Sequence, residues 1–540
     1  VADRPRVGID RTCLAPHAIA RWAIETPDAI AIQQIDGPNR TYADLDHEAR
    51  CWATAATRIG VAPGTHVATM VPNGFIAFAA FLGLAWCRAR EVPVNTATTG
   101  RLLHYILHNA DVTILLVAHD FVDRLLALDD ELPLLHTVVV VDSDDTAALV
   151  ASRPLWRVLG IHQFLDGAEP ATDLPGPVYR DIAAILYTSG TTGPSKGVLV
   201  PWSVIYQFWS WVPDETVPQG SGLYGPLPVV HNSGRSCLNY ALVRGARFVF
   251  RERFSGSEYW NDVRRYDCIT GALVGPMTQF LQSQPPRDDD RDNPLKHVIC
   301  GPLIAEIDAF KERFGVVVAT SYGMTEVGIV LGTEWNHGPW QNCGRPRSSY
   351  PWTETRIVDE NDEPVATGEI GELVVRSAEP WALNAGYYEM PEKTAEAWRN
   401  GWFHTGDAFR TDEDGWYYLV DRMKDAIRRR GENISSFEVE SIIDDHPDVL
   451  ASAAVAVPAA MGEDEVLVVV EVRDPDNFDH AAFSAWFQPR LAKFMWPRYI
   501  DAVAALPRNE NTARIKKYEL RSRGITATTW DREAARPLDA

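Results

Sequence analysis

Twelve residues near the middle of the chain constrain it more than any others: Tyr187 to Val198, Tyr-Thr-Ser-Gly-Thr-Thr-Gly-Pro-Ser-Lys-Gly-Val. Three glycines, five Ser/Thr hydroxyls and one lysine cannot build a core. They suit a loop that wraps an anion, because glycine lets backbone N–H groups turn inward, hydroxyls add donors and the lysine supplies compensating charge. A nucleotide phosphate is the expected anion. The ordinary P-loop runs Gly-x-x-x-x-Gly-Lys-Ser/Thr directly into a helix. Here Lys196 is followed by Gly197 and the β-type run Val198-Leu199-Val200, and the preceding Ile182 to Leu186 is also strand-like. The stretch therefore joins two strands. Taken alone, a flexible Gly/Ser/Thr surface loop is the plain alternative.

A chain of 540 residues is too long for one core and should split into two or more domains. Its net charge of -22 argues against a nucleic-acid or anionic-membrane surface, which Lys/Arg patches would hold. Seven cysteines, odd in number and never in a Cys-x-x-Cys pair, imply neither a disulfide framework nor a zinc site, so a reducing, cytoplasmic setting is expected. The opening Val-Ala-Asp-Arg-Pro-Arg starts no apolar run, so no secretory signal is expected. The longest uncharged apolar run, the 13 residues from Phe75 to Cys87, is short of the roughly 20 that a membrane helix needs and reads as a buried helix.

From Pro27 to Val117 strand and helix patterns alternate, with Thr41 to Asp44 capping a helix that ends at Gly60, and Val138 to Val141 and Ile182 to Tyr187 continue the series. This predicts an α/β sheet with helices on its faces. Asp142 to Tyr179 is expected to be irregular surface, and Asp288 to Asp292 a charged surface linker. Trp202 to Val212 carries aromatic residues at roughly helical spacing and reads as core, with a cavity wall as the minority reading. Leu223 to Thr270 reads as βαβ, with His231-Asn232-Ser233-Gly234 at a strand-to-helix turn. Beyond Asn342 short strands suggest a small β-barrel or sheet, and after Val420 a compact α/β domain of about a hundred residues follows.

Several separate stretches now match one pattern. The chain resembles the adenylate-forming superfamily that includes acyl-CoA synthetases, firefly luciferase and the adenylation domains of peptide synthetases, over nearly its whole length from Gly60 to Arg521. The resemblance implies a large N-terminal ATP- and acyl-binding domain, residues 1–420, of two α/β sheet subdomains plus a small β-barrel. A small mobile C-terminal α/β domain, 421–540, would follow. The 187–198 loop would hold the β- and γ-phosphates of ATP through Thr188, Ser189, Thr191, Thr192 and Lys196, with Gly190 and Gly193 giving backbone approach. In Ser321-Tyr322-Gly323-Met324-Thr325-Glu326, Tyr322 would lie on the adenine, Thr325 on the α-phosphate or acyl carbonyl, and Glu326 on Mg²⁺. A flat ring stacks on a base, a hydroxyl donates to an oxyanion, and a carboxylate is a hard ligand for a hard cation. Gly301-Pro302 stands near the family's adenine strand. In Trp402-Phe403-His404-Thr405-Gly406-Asp407, Asp407 would accept both ribose hydroxyls, as an acceptor-only carboxylate can; Arg422 would reach the same side, and Lys424 marks the interdomain hinge. The acyl pocket would lie among Tyr206, His231, Asn232, Val327 and Gly328.

Two departures from the family pattern stand out. Arg430-Gly431-Glu432-Asn433 replaces the usual Gly-Gly-Glu-Asn of the thiol tunnel, placing an extra charge where a CoA phosphate could meet it. The C-terminal motif is one residue longer, putting Arg514 in the place of the adenylation lysine, with Lys516 nearby; arginine keeps the charge but is a planar fork. The expected activity is an acid–thiol ligase that uses ATP, Mg²⁺ and coenzyme A to turn a small-molecule carboxylic acid, of the fatty-, carnitine- or aromatic-acid type, into an acyl-AMP and then an acyl-CoA. No nucleic-acid partner and no transmembrane segment are expected, and a homo-oligomer stays open. Alternatives are a freestanding adenylation enzyme loading a carrier-protein thiol, a luciferase-like oxidative use of the acyl-AMP, and an ATP-binding pseudoenzyme.

Overall fold

A computed structural model describes residues 8–128, 131–188, 195–339, 341–347, 352–422, 426–429, 432–459, 464–508 and 515–537. The chain divides into two compact units. The first comprises residues 1–96, 106–186 and 197–421, and the second 97–105, 187–196 and 422–540.

Two seven-stranded sheets dominate. One runs in the spatial order Arg157–Gly160, Thr137–Val140, Ile114–Val117, His66–Met70, Arg90–Pro93, Ile182–Thr188, Lys196–Pro201. The two strands flanking the opening loop are thus adjacent in one sheet, as its β-type flanks predict. The other sheet runs Val317–Ala319, His297–Gly301, Cys268–Val274, Gly222–Tyr224, Arg247–Phe250, Ile30–Gln34, Asn39–Thr41. Its strands pair in parallel except at the Ile30–Gln34 and Asn39–Thr41 edge.

The helix Phe75–Trp86 explains why so apolar a run belongs here. Every residue from Ala77 to Trp86 is buried. Phe78 meets Phe248 and Phe250 of the second sheet at ring distances of 6.0 and 4.9 Å. On another side Gly83 lies so close to Trp52 that a Cβ would come within 2.6 Å of the Trp52 Cβ. A helix covered all round can be apolar all round. Its neighbour Tyr42–Arg58 begins in a capping box: Asp44 N–H donates to Thr41 Oγ1 at 3.1 Å and Thr41 N–H to Asp44 Oδ2 at 3.0 Å.

The strands after Asn342 form a four-stranded antiparallel sheet, Thr353–Val358, Gly371–Ser377, Phe403–Thr411 and Tyr417–Arg422. In the second unit, the sheet Val449–Pro458, Asp464–Val472, Tyr499–Val503, Trp530–Asp531, Arg536–Pro537 is buried on both faces. Val466, Val468 and Val470 pack with Phe483 and Phe487, while Leu467 and Val469, with their cross-strand partners Val455 and Ala453, pack with Leu520.

Three expectations need correction. The stretch 142–179 is not all irregular: helix Ala147–Ser152, strand Arg157–Gly160 and helix Ile161–Leu165 add an edge to the first sheet. Their apolar sides are too short to show a period. The aromatic helix spans only Trp202–Gln207, with Phe208 to Trp211 in turns. Asp290, inside the acidic run, is buried and paired with Arg313 at 2.6 Å, so that run is anchored to the fold.

Candidate active site

In parallel sheets, functional groups gather beyond the carboxyl ends of the strands. In the first unit, three strand ends of the second sheet supply such groups. His297–Gly301 ends at Gly301-Pro302; Val317–Ala319 leads into Ser321–Met324; Gly222–Tyr224 leads toward His231. Gly301 approaches the Ser321 carbonyl so closely that a Cβ would lie 3.3 Å from it.

Ser321–Met324 and Gly328–Gly332 form a hairpin whose turn holds Thr325, Glu326 and Val327. Gly323 faces the Gly328 carbonyl, where a Cβ would meet oxygen at 2.2 Å, and Gly328 itself takes φ +67°. Both positions therefore need glycine. Tyr322 donates its hydroxyl to Asp407 Oδ2 at 2.6 Å and sets its ring edge-on to Phe409 at 4.7 Å. The residues read as adenine and ribose contacts are thus joined directly.

Glu326 is buried and its main chain is held by a segment that sequence reasoning passed over. Asn384 donates to the Glu326 carbonyl through its backbone N–H at 2.8 Å and its side chain at 2.9 Å, and Tyr387 donates its hydroxyl to Glu326 Oε1 at 3.3 Å. Burial, reinforced by the Glu326 charge, pushes the Tyr387 phenol far up, so it stays a donor. A Gly-Tyr-Tyr run after an Asn was the only sequence signal.

The acyl-side residues divide. His231 precedes the helix Asn232–Val243, and Gly234 packs against the Pro228 carbonyl, where a Cβ would come within 2.2 Å. Asn232 is buried and accepts from Ser236 Oγ at 3.2 Å. Beneath this turn Arg235, fully buried, pairs with Glu91 at 2.5 Å, donates to the Val229 carbonyl at 3.0 Å and lies 4.4 Å over the Phe81 ring. Glu91 also accepts from Thr69 Oγ1 at 2.6 Å. Tyr206 is half-buried, and its hydroxyl lies against the Cys13 thiol, whose pKa is raised mainly by burial. Val204 packs on Gly328 at 3.7 Å from the place of a Cβ, so the aromatic helix does adjoin the Val327-Gly328 turn.

In the second unit, Thr188 closes one loop strand and Lys196 opens the next. Ser189, Gly190, Thr191, Thr192 and Gly193 lie outside the described residues, as do Lys424, Arg430, Gly431 and Arg514, and the side chain of Arg422. Ser195 donates its backbone N–H to Glu438 Oε1 at 2.9 Å, and its carbonyl accepts from Tyr105 at 2.8 Å. Burial raises the Glu438 pKa, against the Ser195 hydrogen bonds. Glu432 opens the strand Glu432–Ser435. Lys516 pairs with Glu519 at 3.0 Å, and Lys517 with Glu440 at 2.7 Å. Arg429, within the arginine run, is buried against Glu465 at 2.6 Å.

The hairpin thus brings an aromatic ring, a hydroxyl and a carboxylate into one short turn, with Asp407 bound to the ring's hydroxyl. Residues 19–388 match the AMP-binding enzyme family and 438–512 the AMP-binding enzyme C-terminal domain. The chain belongs to this AMP-binding, adenylate-forming superfamily. Among its relatives, the crotonobetaine/carnitine–CoA ligase of Salmonella choleraesuis is 31% identical, over 88% of this chain and 92% of that one. Structurally, the o-succinylbenzoate CoA synthetase of Bacillus subtilis matches with TM-score 0.79 at 22% identity, over 94% of this chain and 99% of that one. An amide bond synthetase of Marinactinospora thermotolerans matches with TM-score 0.78 at 24% identity over the same shares, and both likenesses speak to fold alone. Within the superfamily the chain is an AMP-forming acid–thiol ligase. No helix among the described residues is long and apolar enough to cross a membrane.

Proposed function

We propose that the chain activates a small carboxylic acid on ATP in two steps, with the named residues in these roles. The acid's carboxylate oxygen attacks the α-phosphorus in line; a new P–O bond forms, the bond to the β-phosphate bridge breaks, and pyrophosphate leaves. The CoA thiol, losing its proton, then attacks the acyl carbon, and AMP departs as the C–O bond breaks. No covalent enzyme intermediate is needed, since orientation and charge neutralisation supply the acceleration. Tyr322 takes the adenine face, Asp407 the ribose hydroxyls, and Thr325 donates to the oxyanion side. Thr188, Lys196 and the glycine-rich loop take the outer phosphates, and Arg514 or Lys516 the cation near the reacting carboxylate. Lys424 is the proposed pivot between the half-reactions, and residues Arg430, Gly431 and Glu432 are proposed to border the thiol's path.

The observation that carries the reading is the Tyr322–Asp407 hydrogen bond of 2.6 Å, which joins two motifs 85 residues apart. Mg²⁺ is ordinarily held by one or two carboxylates together with substrate phosphates. Glu326, buried and fixed by Asn384 and Tyr387, fits that demand and would hold it. The ion would offset phosphate charge there.

The acid is small and polar if the crotonobetaine and carnitine named for the relatives are a guide. The test is ATP–pyrophosphate exchange with a panel of acids including these two, followed by thioester formation with free CoA. Acid-dependent exchange without CoA, and thioester with it, is expected. ATP binding with no exchange for any acid overturns the reading, and thioester formed only on a carrier protein replaces CoA as acceptor. Substituting Arg514→Ala and Lys516→Ala separately should cost on the order of 10²-fold in acyl-AMP formation at one of the two positions. Full activity in both moves the adenylation cation elsewhere.

A further inference from the structure

The strand that carries Asp407 is not a regular strand at Asp407. Gly371–Ser377 pairs antiparallel with Phe403–Thr411, and the register jumps from Glu372↔Ala408 to Val374↔His404. Between these pairs one strand contributes Leu373 alone and the other contributes Thr405, Gly406 and Asp407. This is a bulge two residues deep, and bulges re-aim side chains while leaving ladder groups unpaired. Gly406 takes φ +74° to make it, a conformation that suits glycine.

Side chains meet the Gly406 and Asp407 N–H groups and the Leu373 carbonyl at the bulge. Gly406 N–H donates to Glu372 Oε1 at 2.8 Å, and His404 Nδ1 donates to Glu372 Oε2 at 2.9 Å. Thr405 Oγ1 donates to the Leu373 carbonyl at 2.6 Å and accepts from Asp407 N–H at 3.1 Å. Arg399 reaches Glu372 Oε2 at 3.2 Å and Asp362 at 3.1 Å. Burial works against the Arg399 charge, but Asp362 and Glu372 outweigh it and hold the guanidinium firmly protonated. Just upstream, Arg356 and Arg376 each lie 4.5 Å from the Trp402 ring. The 404–406 stretch is thus held chiefly from the Gly371–Ser377 strand, where the Glu372 carboxylate, with 12% of its side chain exposed, is the central acceptor.

We propose that Glu372 is a positioning residue for ATP: by accepting from Gly406 and His404 at once it sets the bulge that presents Asp407 to the ribose. The inference rests on the reading of Asp407 as the ribose acceptor. Glu372 touches no substrate and acts through the main chain of Gly406.

The test compares ATP with 2′-deoxy-ATP in acid-dependent pyrophosphate exchange by the whole chain. A hydrogen bond to a charged acceptor predicts a wild-type preference for ATP on the order of 10- to 100-fold in kcat/KM. Glu372→Ala should shrink that preference to within about threefold while KM for the acid stays within about twofold. Glu372→Gln keeps one acceptor oxygen for Gly406 but loses the two-sided acceptance, and should fall between wild type and Ala. Should the Ala protein fail to fold, the isosteric Gln variant alone decides: a reduced preference supports the role and an unchanged one overturns it. If Glu372→Ala lowers kcat/KM for ATP and 2′-deoxy-ATP by one common factor, the residue is merely structural and the inference falls. Asp407→Ala separates the underlying reading: a preference kept there overturns the ribose role itself, whereas one lost there but kept in Glu372→Ala overturns only the positioning role.

Discussion

The Arg235–Glu91 pair tests how charge is tolerated in this core. Both groups are buried, at 0% and 5% side-chain exposure, so neither can be solvated if its partner goes. Removing one partner of a buried pair typically costs about 3–5 kcal/mol, because an uncompensated charge remains, whereas replacing both with apolar groups is often near neutral. Glu91→Ala should therefore lower the urea midpoint sharply, and Glu91→Leu with Arg235→Met should recover much of the loss. Strict additivity of the two single changes would show that the groups do not interact. Nothing in the sequence disclosed this pair, since Glu91 and Arg235 lie in separate βα units and only the sheet brings them together. The proposed roles of Tyr322, Glu326 and Asp407 have a sequence basis because each sits in a compact motif whose chemistry is local. That of Glu372 has none, since it depends on a strand register that no single stretch encodes.

At the scale of elements, the hairpin Ser321–Met324/Gly328–Gly332 is the most exacting part of the site. A methyl on Gly323 would stand 2.2 Å from the Gly328 carbonyl, a backbone atom that can yield only by opening the hairpin. Overpacking of this kind costs roughly 1–3 kcal/mol, and more where backbone must move. Gly323→Ala should lower both thermal stability and kcat/KM for ATP, since Tyr322 and Thr325 flank the same turn. Gly415→Ala is the control: its φ of +78° carries strain, yet a Cβ there meets nothing within 4 Å, so ATP kinetics should be unchanged. Equal kinetic losses in the two variants would separate the hairpin from catalysis. Strand-to-strand placement of the glycine-rich loop was readable from the β-type runs on both sides. The short elements of 147–165 were not, because five- and six-residue helices present too few turns to show a period.

On the scale of the whole molecule, the change in pattern after Val420 is a contiguous signal, whereas the grouping of residues 97–105 and 187–196 with 422–540 has no local sequence signal at all. Contiguous sequence cannot show which non-contiguous segments it will pack with. The pH response is likewise a property of the assembled fold. In the first unit burial lowers the pKa of His17, His66 and His297 from the ordinary 6.5. His66 shows why the neutral form is required: its Nδ1–H donates to the Ala110 carbonyl at 2.7 Å, while Nε2 accepts from Arg90 at 3.2 Å. A histidine depressed in the folded state is protonated first in the unfolded chain, so stability is full above 6.5 and is lost as pH falls below it. Lowered carboxylates such as Asp44, held by the Thr41 N–H, and Asp181, where Arg88 overcomes the cost of burial, lose their contribution only below the ordinary 3.8. Asp46, raised by burial, works in the opposite sense but also at acid pH. Melting temperature should therefore hold steady from about pH 8 to 7 and fall between about pH 7 and 5.5, ahead of the carboxylates. Glutamine at position 66 retains a donor and an acceptor without the titration, so His66→Gln should flatten part of that fall. A slope identical to wild type would remove His66 from the account and leave the response to the other buried histidines.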